Sequence, residues 1–172
     1  MSYDNLLEVN GLKTYAFTDE GVVQAVNGAD FTVRRGITLG VVGESGGGKS
    51  LTALSILNLV TRPVRIVEGE IRFKLEADSD WVDLASLPAN GQAMRHIRGN
   101  HIAMIFQEPM NSLSPVHTIG FQIMQGIRIH NDVTKEQARQ QSVELLRLVG
   151  IPDPETRLDA YTFQLSGGMR QR

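Results

Sequence analysis

No cysteine occurs among the 172 residues. Disulfides and thiolate-bound metal are thereby excluded, and a cysteine-free chain fits a reducing compartment. Charge of either sign is not in excess: the net charge is −2 and the pI about 6.1, so no bulk electrostatic attraction to nucleic acid exists. Long apolar runs are missing too. The longest are about five residues, far short of a membrane span, so any membrane role must come through a partner. The opening residues Met1-Ser2-Tyr3-Asp4-Asn5 have no basic region leading into an apolar stretch and do not read as a signal peptide. There is no internal repeat and no low-complexity linker. The four histidines, His96, His101, His117 and His130, show no metal-ligand spacing and read as structural.

What is present is ordinary globular material, 41% hydrophobic and 21% charged, of a length that suits one domain with a usable core. Its centre is the octapeptide Gly43-Glu44-Ser45-Gly46-Gly47-Gly48-Lys49-Ser50. The apolar run Leu39-Gly40-Val41-Val42 before it reads as a buried strand, and residues 51–57 after it read as a helix. Strand, glycine loop and helix form the context a phosphate-binding loop requires. Glycines let the backbone turn through positive φ and approach an anion closely. Loop N–H groups then converge on phosphate oxygens at the positive end of the helix. Lys49 is placed to reach the outer phosphates, and the Ser50 hydroxyl to hold Mg²⁺.

Upstream, residues 6–12, 22–26 and 29–33 read as strands, with the Asp19-Glu20-Gly21 turn before the second. Downstream, residues 66–75 and 81–84 read as a strand pair joined by the acidic turn Glu76-Ala77-Asp78-Ser79-Asp80. Residues 89–98 form a weak helix ending at Gly99, and residues 101–106 a compact apolar strand followed at once by Gln107. The second half is helical. Ile119, Ile123 and Ile127 recur every four residues on one face. Thr134 and Gln137 make a capping box for a helix that stops at Gly150 with Pro152 beyond. Near the end, Ser166 reads as an N-cap. Gly167 and Gly168 leave that helix start bare, a second N-terminus fit to hold an anion.

Together these segments resemble the nucleotide-binding subunit of ABC transporters over almost the whole chain. The glycine loop, with Leu51 after it, looks like Walker A; Phe106-Gln107-Glu108 looks like the Q-loop; Leu165-Ser166-Gly167-Gly168-Met169 looks like the signature motif. Residues 40–46, 103–110 and 165–172, with the helical stretch ending at Pro152, are similar to the ATPase subunits of bacterial dipeptide and oligopeptide importers. The chain departs from that pattern at several places. Gly47 stands where Ser or Cys is usual, which implies a floppier loop. Asn111 and Ser114 replace Thr and Asn; Thr162-Phe163 replaces Pro-His; Ala16 falls where an aromatic often stacks on adenine, leaving Tyr15 or Phe17 to substitute. The strand pair around Trp81 looks longer than usual.

The resemblance implies an α/β fold, a P-loop NTPase nucleotide-binding domain of the ABC type. Residues 1–60 and 61–107 would form an antiparallel β subdomain with a partial RecA-like core, residues 108–165 a helical subdomain, and residues 166–172 the start of the signature helix. It implies ATP and Mg²⁺ as cofactors, with Lys49 and Gln107 catalytic and Ser50 and Gln107 in the metal shell. Ser166 and Gly168 would contact the γ-phosphate held by an opposite ATPase subunit, identical or sister. Implied partners are a membrane permease and, indirectly, a substrate-binding protein, with the ATPase peripheral on the cytoplasmic face of the bacterial inner membrane. The family's Walker B carboxylates, D-loop and switch histidine have no counterpart before Arg172, so the chain is expected to be cut short and to lack its general base. Two other readings stand beside peptide import: a truncated, inactive nucleotide-binding product, and a soluble ABC ATPase working on ribosomes or DNA.

Overall fold

The computed structural model describes residues 4–107 and 112–172; Met1, Ser2, Tyr3 and the motif positions Glu108, Pro109, Met110 and Asn111 lie outside the described residues. The chain divides into two compact units, Met1–Ala103 and Met104–Arg172.

The first unit is built on an antiparallel sheet of strand order β2-β1-β3-β4. β1 spans Asn5–Thr18 and β2 Gly21–Arg34, joined by the tight turn read from Asp19-Glu20-Gly21; β3, Val64–Lys74, and β4, Trp81–Asp83, flank the acidic turn. Period-two alternation puts Leu7 and Val9 of β1 in the core, and then Leu12 and Thr14, one residue out of phase. The re-phasing comes from a bulge at Gly11, where the pairing with both β2 and β3 shifts between Val9 or Asn10 and Lys13. The Gly11 N–H donates to the Asp30 carboxylate at 2.7 Å. Gly69 of β3 lies against the bulge at φ 101°, and a Cβ there would sit 2.6 Å from the Leu12 Cα, so only glycine allows the strands to close. The strand segments expected over 6–12, 22–26 and 29–33 are therefore two long strands. The glycines inside them bend the strands without ending them.

On the concave side Leu12, Ile71, Leu84 and Met94 are fully buried with Val9, Val26, Phe73 and Ile97 around them. Each such side chain contributes about 1.5–3 kcal/mol by leaving water. α1, Lys49–Ile56, and α2, Gln92–Asn100, complete this unit. α2 is helical only as far as Ile97: Arg98 has ψ 125° and Gly99 φ 83°, so the helix ends where the glycine predicts.

Two expected strands do not form. Residues 39–42 enter the glycine loop without strand pairing, and within 101–106 only Ile102 makes a bridge, a single parallel one with Arg98. A parallel strand buries both faces and needs neighbours on its edges. Among the described residues the sheet offers these runs none.

In the second unit, α3, Ile119–His130, is capped by Thr118, whose hydroxyl accepts the Phe121 N–H at 3.2 Å. α4, Lys135–Leu148, opens on the predicted capping box: the Gln137 N–H donates to Thr134 Oγ1 at 3.2 Å and the Thr134 N–H to Gln137 Oε1 at 2.8 Å. It stops at Gly150, in the left-handed region at φ 70°. α5, Pro154–Arg157, a 3-10 turn over Thr162–Gln164 and α6, Gly167–Gln171, follow. Ile119, Val143, Leu146, Ile151, Leu158 and Leu165 form the core, with Ile123 packed against it. Among the described residues no helix is long and apolar enough to cross a membrane.

Candidate nucleotide site

The glycine loop turns through Gly46 at φ 85° and Gly48 at φ 78°, and Gly48 is the N-cap of α1. A Cβ on Gly48 would stand 2.4 Å from the Ala25 carbonyl oxygen and 3.2 Å from Val26 Cγ2. The loop therefore lies backbone to backbone against β2, and no larger residue fits. Gly47 donates its N–H to the Glu44 carbonyl at 3.1 Å, closing the turn. A Cβ on Gly47 would meet that same oxygen at 3.1 Å, so the serine usual here would press on it. With glycine at the cap, no side chain covers the first-turn N–H groups of α1, and no acidic residue stands in that turn. A helix start left open in this way is suited to an anion.

Lys49 folds back across the loop. Its ammonium donates to the carbonyls of Gly43 at 2.7 Å and Glu44 at 2.6 Å. The positive charge is thus fixed over the loop by dipoles and not by a carboxylate. Gly43, Glu44, Ser45, Gly46 and Gly47 are exposed; so is Ser50, whose hydroxyl is open to solvent in the first turn, and Leu51 is half-buried.

Three residues that the motif does not contain hold α1 in place. Thr14 and Ser55, both fully buried, share a hydrogen bond of 2.8 Å between β1 and α1. Ser55 also donates to the Leu51 carbonyl at 2.7 Å, which leaves Thr14 as the donor in the pair. At the far end of α1, Arg98 donates to the carbonyls of Leu57 at 2.7 Å, Asn58 at 2.6 Å and Ala89 at 2.9 Å. A guanidinium across the last carbonyls complements the negative end of the helix. Burial, and then the neighbouring Arg95, lower the pKa of Arg98, but an arginine starts so high that it stays charged. The alternation of β1 could have pointed to Thr14. For Arg98 no pattern in the sequence signals its reach.

Tyr15 and Phe17 sit in β1, in antiphase with the buried Thr14. The Tyr15 hydroxyl donates to Asn27 Oδ1 at 2.9 Å, and the Arg65 guanidinium lies 3.9 Å from the Phe17 ring centroid. Ala16 is the position in phase with Thr14.

Gln107 and the second glycine motif belong to the second unit, described by itself. Gln107 is exposed at a bend. Leu165 is buried in that unit's core, and Met169 packs partly against it. Between them Ser166 caps α6, its Oγ accepting the Met169 N–H at 3.3 Å, while a Cβ on Gly167 or Gly168 would meet nothing within 4 Å. The turn is anchored at both ends and bare in the middle. Among the described residues no group of three or more His, Cys, Asp or Glu side chains is placed to hold a metal ion.

Comparison with known proteins agrees with this construction. Residues 26–172 match the family model described as ABC transporter. The chain is 48% identical over 170 residues to the Probable peptide ABC transporter ATP-binding protein y4tR of Sinorhizobium fredii, covering 98% of this chain and 48% of that protein. It is 49% identical over 168 residues to the Oligopeptide transport ATP-binding protein AppD of Bacillus subtilis, covering 97% of this chain and 49% of the relative. To the Dipeptide transport ATP-binding protein DppD of Escherichia coli it is 41% identical over 167 residues, again 97% and 49%. The chain thus spans about half the length of the curated relatives it matches. Among solved structures it superposes on the dimeric bacterial ABC transporter cassette MJ0796 with a TM-score of 0.76 at 20% identity, covering 96% of this chain and 66% of that one. The post-hydrolysis form of MJ0796 bound to ADP and Pi gives 0.77 at 20% identity and the same coverage. The fold is that of an ABC cassette, and the chain belongs to the ABC transporter family.

Proposed function

We propose that this chain supplies the nucleotide-binding part of the ATPase subunit of a bacterial importer of dipeptides or oligopeptides. The carrying observation is the Gly48–Lys49 junction: a helix start with uncovered N–H groups, pressed to β2 without room for a side chain, with an ammonium fixed over it. The names of the relatives, all ATP-binding proteins of peptide transport systems, support the substrate class.

In this reading the residues Gly43 to Ser50 cradle the β- and γ-phosphates of ATP. Phosphoryl transfer needs little covalent help from the protein, so positioning and charge carry most of it. The Lys49 ammonium leaves the Gly43 and Glu44 carbonyls for the phosphate oxygens. The exposed Ser50 hydroxyl, with the Gln107 amide, fits the oxygen donors that Mg²⁺ prefers, and Mg²⁺ supplies charge neutralisation when bound. Tyr15 or Phe17 stacks on adenine; for Phe17 this requires Arg65 to yield its place on one ring face. Ser166 and Gly168 face the nucleotide of a second ATPase subunit, and the pair drives a permease, served by a substrate-binding protein, from the cytoplasmic face of the inner membrane. The apolar run Ile102 to Phe106 ends in Gln107 and not in a carboxylate pair, so in this reading the 172 residues alone bind nucleotide without turning it over.

The test is equilibrium binding of a fluorescent Mg-ATP analogue to the chain and to Lys49→Ala. The wild-type chain should bind and the variant should lose at least tenfold in affinity, about 1.4 kcal/mol, with an unchanged melt. Equal affinities would remove the loop from this role, and steady ATP hydrolysis by the chain alone would refute the missing base.

A further inference from the structure

We propose that Thr162 is a positioning residue. Its hydroxyl ties the segment at Ser114 to the turn that carries Ser166, so that the two move as one body. The functional meaning of this tie rests on the reading of the Ser166 turn as a nucleotide contact; its existence does not.

The Thr162 side chain is buried, at 6% exposure, and its Oγ1 donates to the Ser114 carbonyl at 2.9 Å. Ser114 is itself held on every side. Its N–H donates to Gln122 Oε1 at 2.8 Å, its carbonyl accepts a second bond from Gln122 Nε2 at 3.1 Å, and its hydroxyl pairs with His117 Nδ1 at 2.9 Å. Gln122 stands in the first turns of α3, so Ser114 is fixed to a helix whose N-terminus is docked in turn. The Ile119 N–H donates to the Ala160 carbonyl at 2.9 Å and the Gly120 N–H to Leu158 at 2.7 Å. From Thr162 the line continues forward: its carbonyl accepts the Leu165 N–H at 3.2 Å, Leu165 is buried in the core, and Ser166 follows as the cap. The Thr162 hydroxyl joins the two segments directly.

The Ser114 carbonyl is half-buried and keeps the Gln122 Nε2 donor when the Thr162 hydroxyl is removed, so the loss is that of one ordinary hydrogen bond. The importer pattern carries proline where this chain has Thr162, and a proline has no hydroxyl to donate. A proline at this position could not make the tie.

The experiment is amide hydrogen exchange on the 172-residue chain and its variants Thr162→Val and Thr162→Ser. Valine keeps the shape and drops the hydroxyl; serine keeps the hydroxyl and drops the methyl. In Thr162→Val the amides of Ser114, Leu165 and Met169 should accelerate together, about five- to tenfold, and in Thr162→Ser they should stay within about twofold of wild type. Thr162→Ala reports the same loss should the valine variant not fold. Acceleration of Leu165 and Met169 without Ser114, or no acceleration, overturns the tie; so does a serine variant that behaves like valine, since packing would then be the cause. Affinity for the fluorescent ATP analogue, measured alongside, should be equal in all variants because the glycine loop belongs to the other unit. A wild-type chain that binds no analogue would end the nucleotide reading and leave the exchange result standing.

Discussion

The antiparallel sheet and the apolar runs beside the motifs are made of the same residue types and reach opposite ends. Val9 and Ile71 are fully buried between paired strands. Val42 and Ile105, equally β-branched, are 93% and 91% exposed. Hydrophobicity and β propensity are alike in the two cases; what differs is a partner. A strand is stabilised by its ladder and its cross-strand contacts, and an apolar run without them is only exposed surface. The residues proposed to carry chemistry, Gly43 to Ser50 and Gln107, adjoin the unpaired runs, while the residues that hold the fold lie in the paired sheet.

The sharpest way to break this contrast is a pair of truncations. Ile71→Ala should cost about 3–4 kcal/mol of unfolding free energy, because it opens a cavity at a fully buried site. Val42→Ala should cost under about 0.5 kcal/mol. Urea denaturation measures both, and a comparable loss at Val42 would mean that the run is structural after all. Arg98→Leu comes next, at about 2–3 kcal/mol, since two carbonyls at the end of α1 and that of Ala89 lose a charged donor. Arg98→Lys should recover less than half of that, because an ammonium cannot reproduce the fork. Full recovery would show that charge alone secures the helix. Thr14→Val and Ser55→Ala, combined in a double-mutant cycle, should give a coupling near 1 kcal/mol. Zero coupling would leave α1 seated by packing only.

A small effect is expected in the second unit, where Arg139 grips Asp159 through two bonds of 3.1 and 3.0 Å. The Arg139 hydrogen bond holds the Asp159 carboxyl below its ordinary pKa. A folded-state value below the unfolded one means that the contribution is complete above the unfolded pKa and is lost as the pH falls through the folded one. The pair is exposed and screened, so Asp159→Asn should remove only about 0.2–1 kcal/mol at neutral pH. The gap to wild type should close as the pH falls below the ordinary carboxylate range and narrow in high salt. A difference independent of pH would show that the charge plays no part.

The parts of this molecule that were legible in the sequence are those whose information is local. The glycine loop, the capping box of Thr134 and Gln137, the stop at Gly150 and the Ser166 cap each lie within a few adjacent residues, and each is where the spacing puts it. The strand lengths were not legible, because Gly11 and Gly28 look like ends and act as bulges in continuous strands. Runs 39–42 and 101–106 have the right composition for strands, but composition carries no information about neighbours. The supports of α1 were hidden for a different reason. Thr14 and Ser55 are 41 residues apart, as are Arg98 and Leu57, and only the fold brings them within hydrogen-bonding reach.

The absence of a side chain at Gly48 has a consequence for the hairpin as well as for the loop. Since the loop rests directly on the Ala25 carbonyl, its location is tied to the alignment of β2 against β1, in which Thr14 faces Val26. A slip of β2 by one residue against β1 would rotate Val26 outward and withdraw the oxygen on which the loop is seated. Altering the Asp19-Glu20 turn, far along the ribbon, is therefore a way to shift the glycine loop without touching any of its residues.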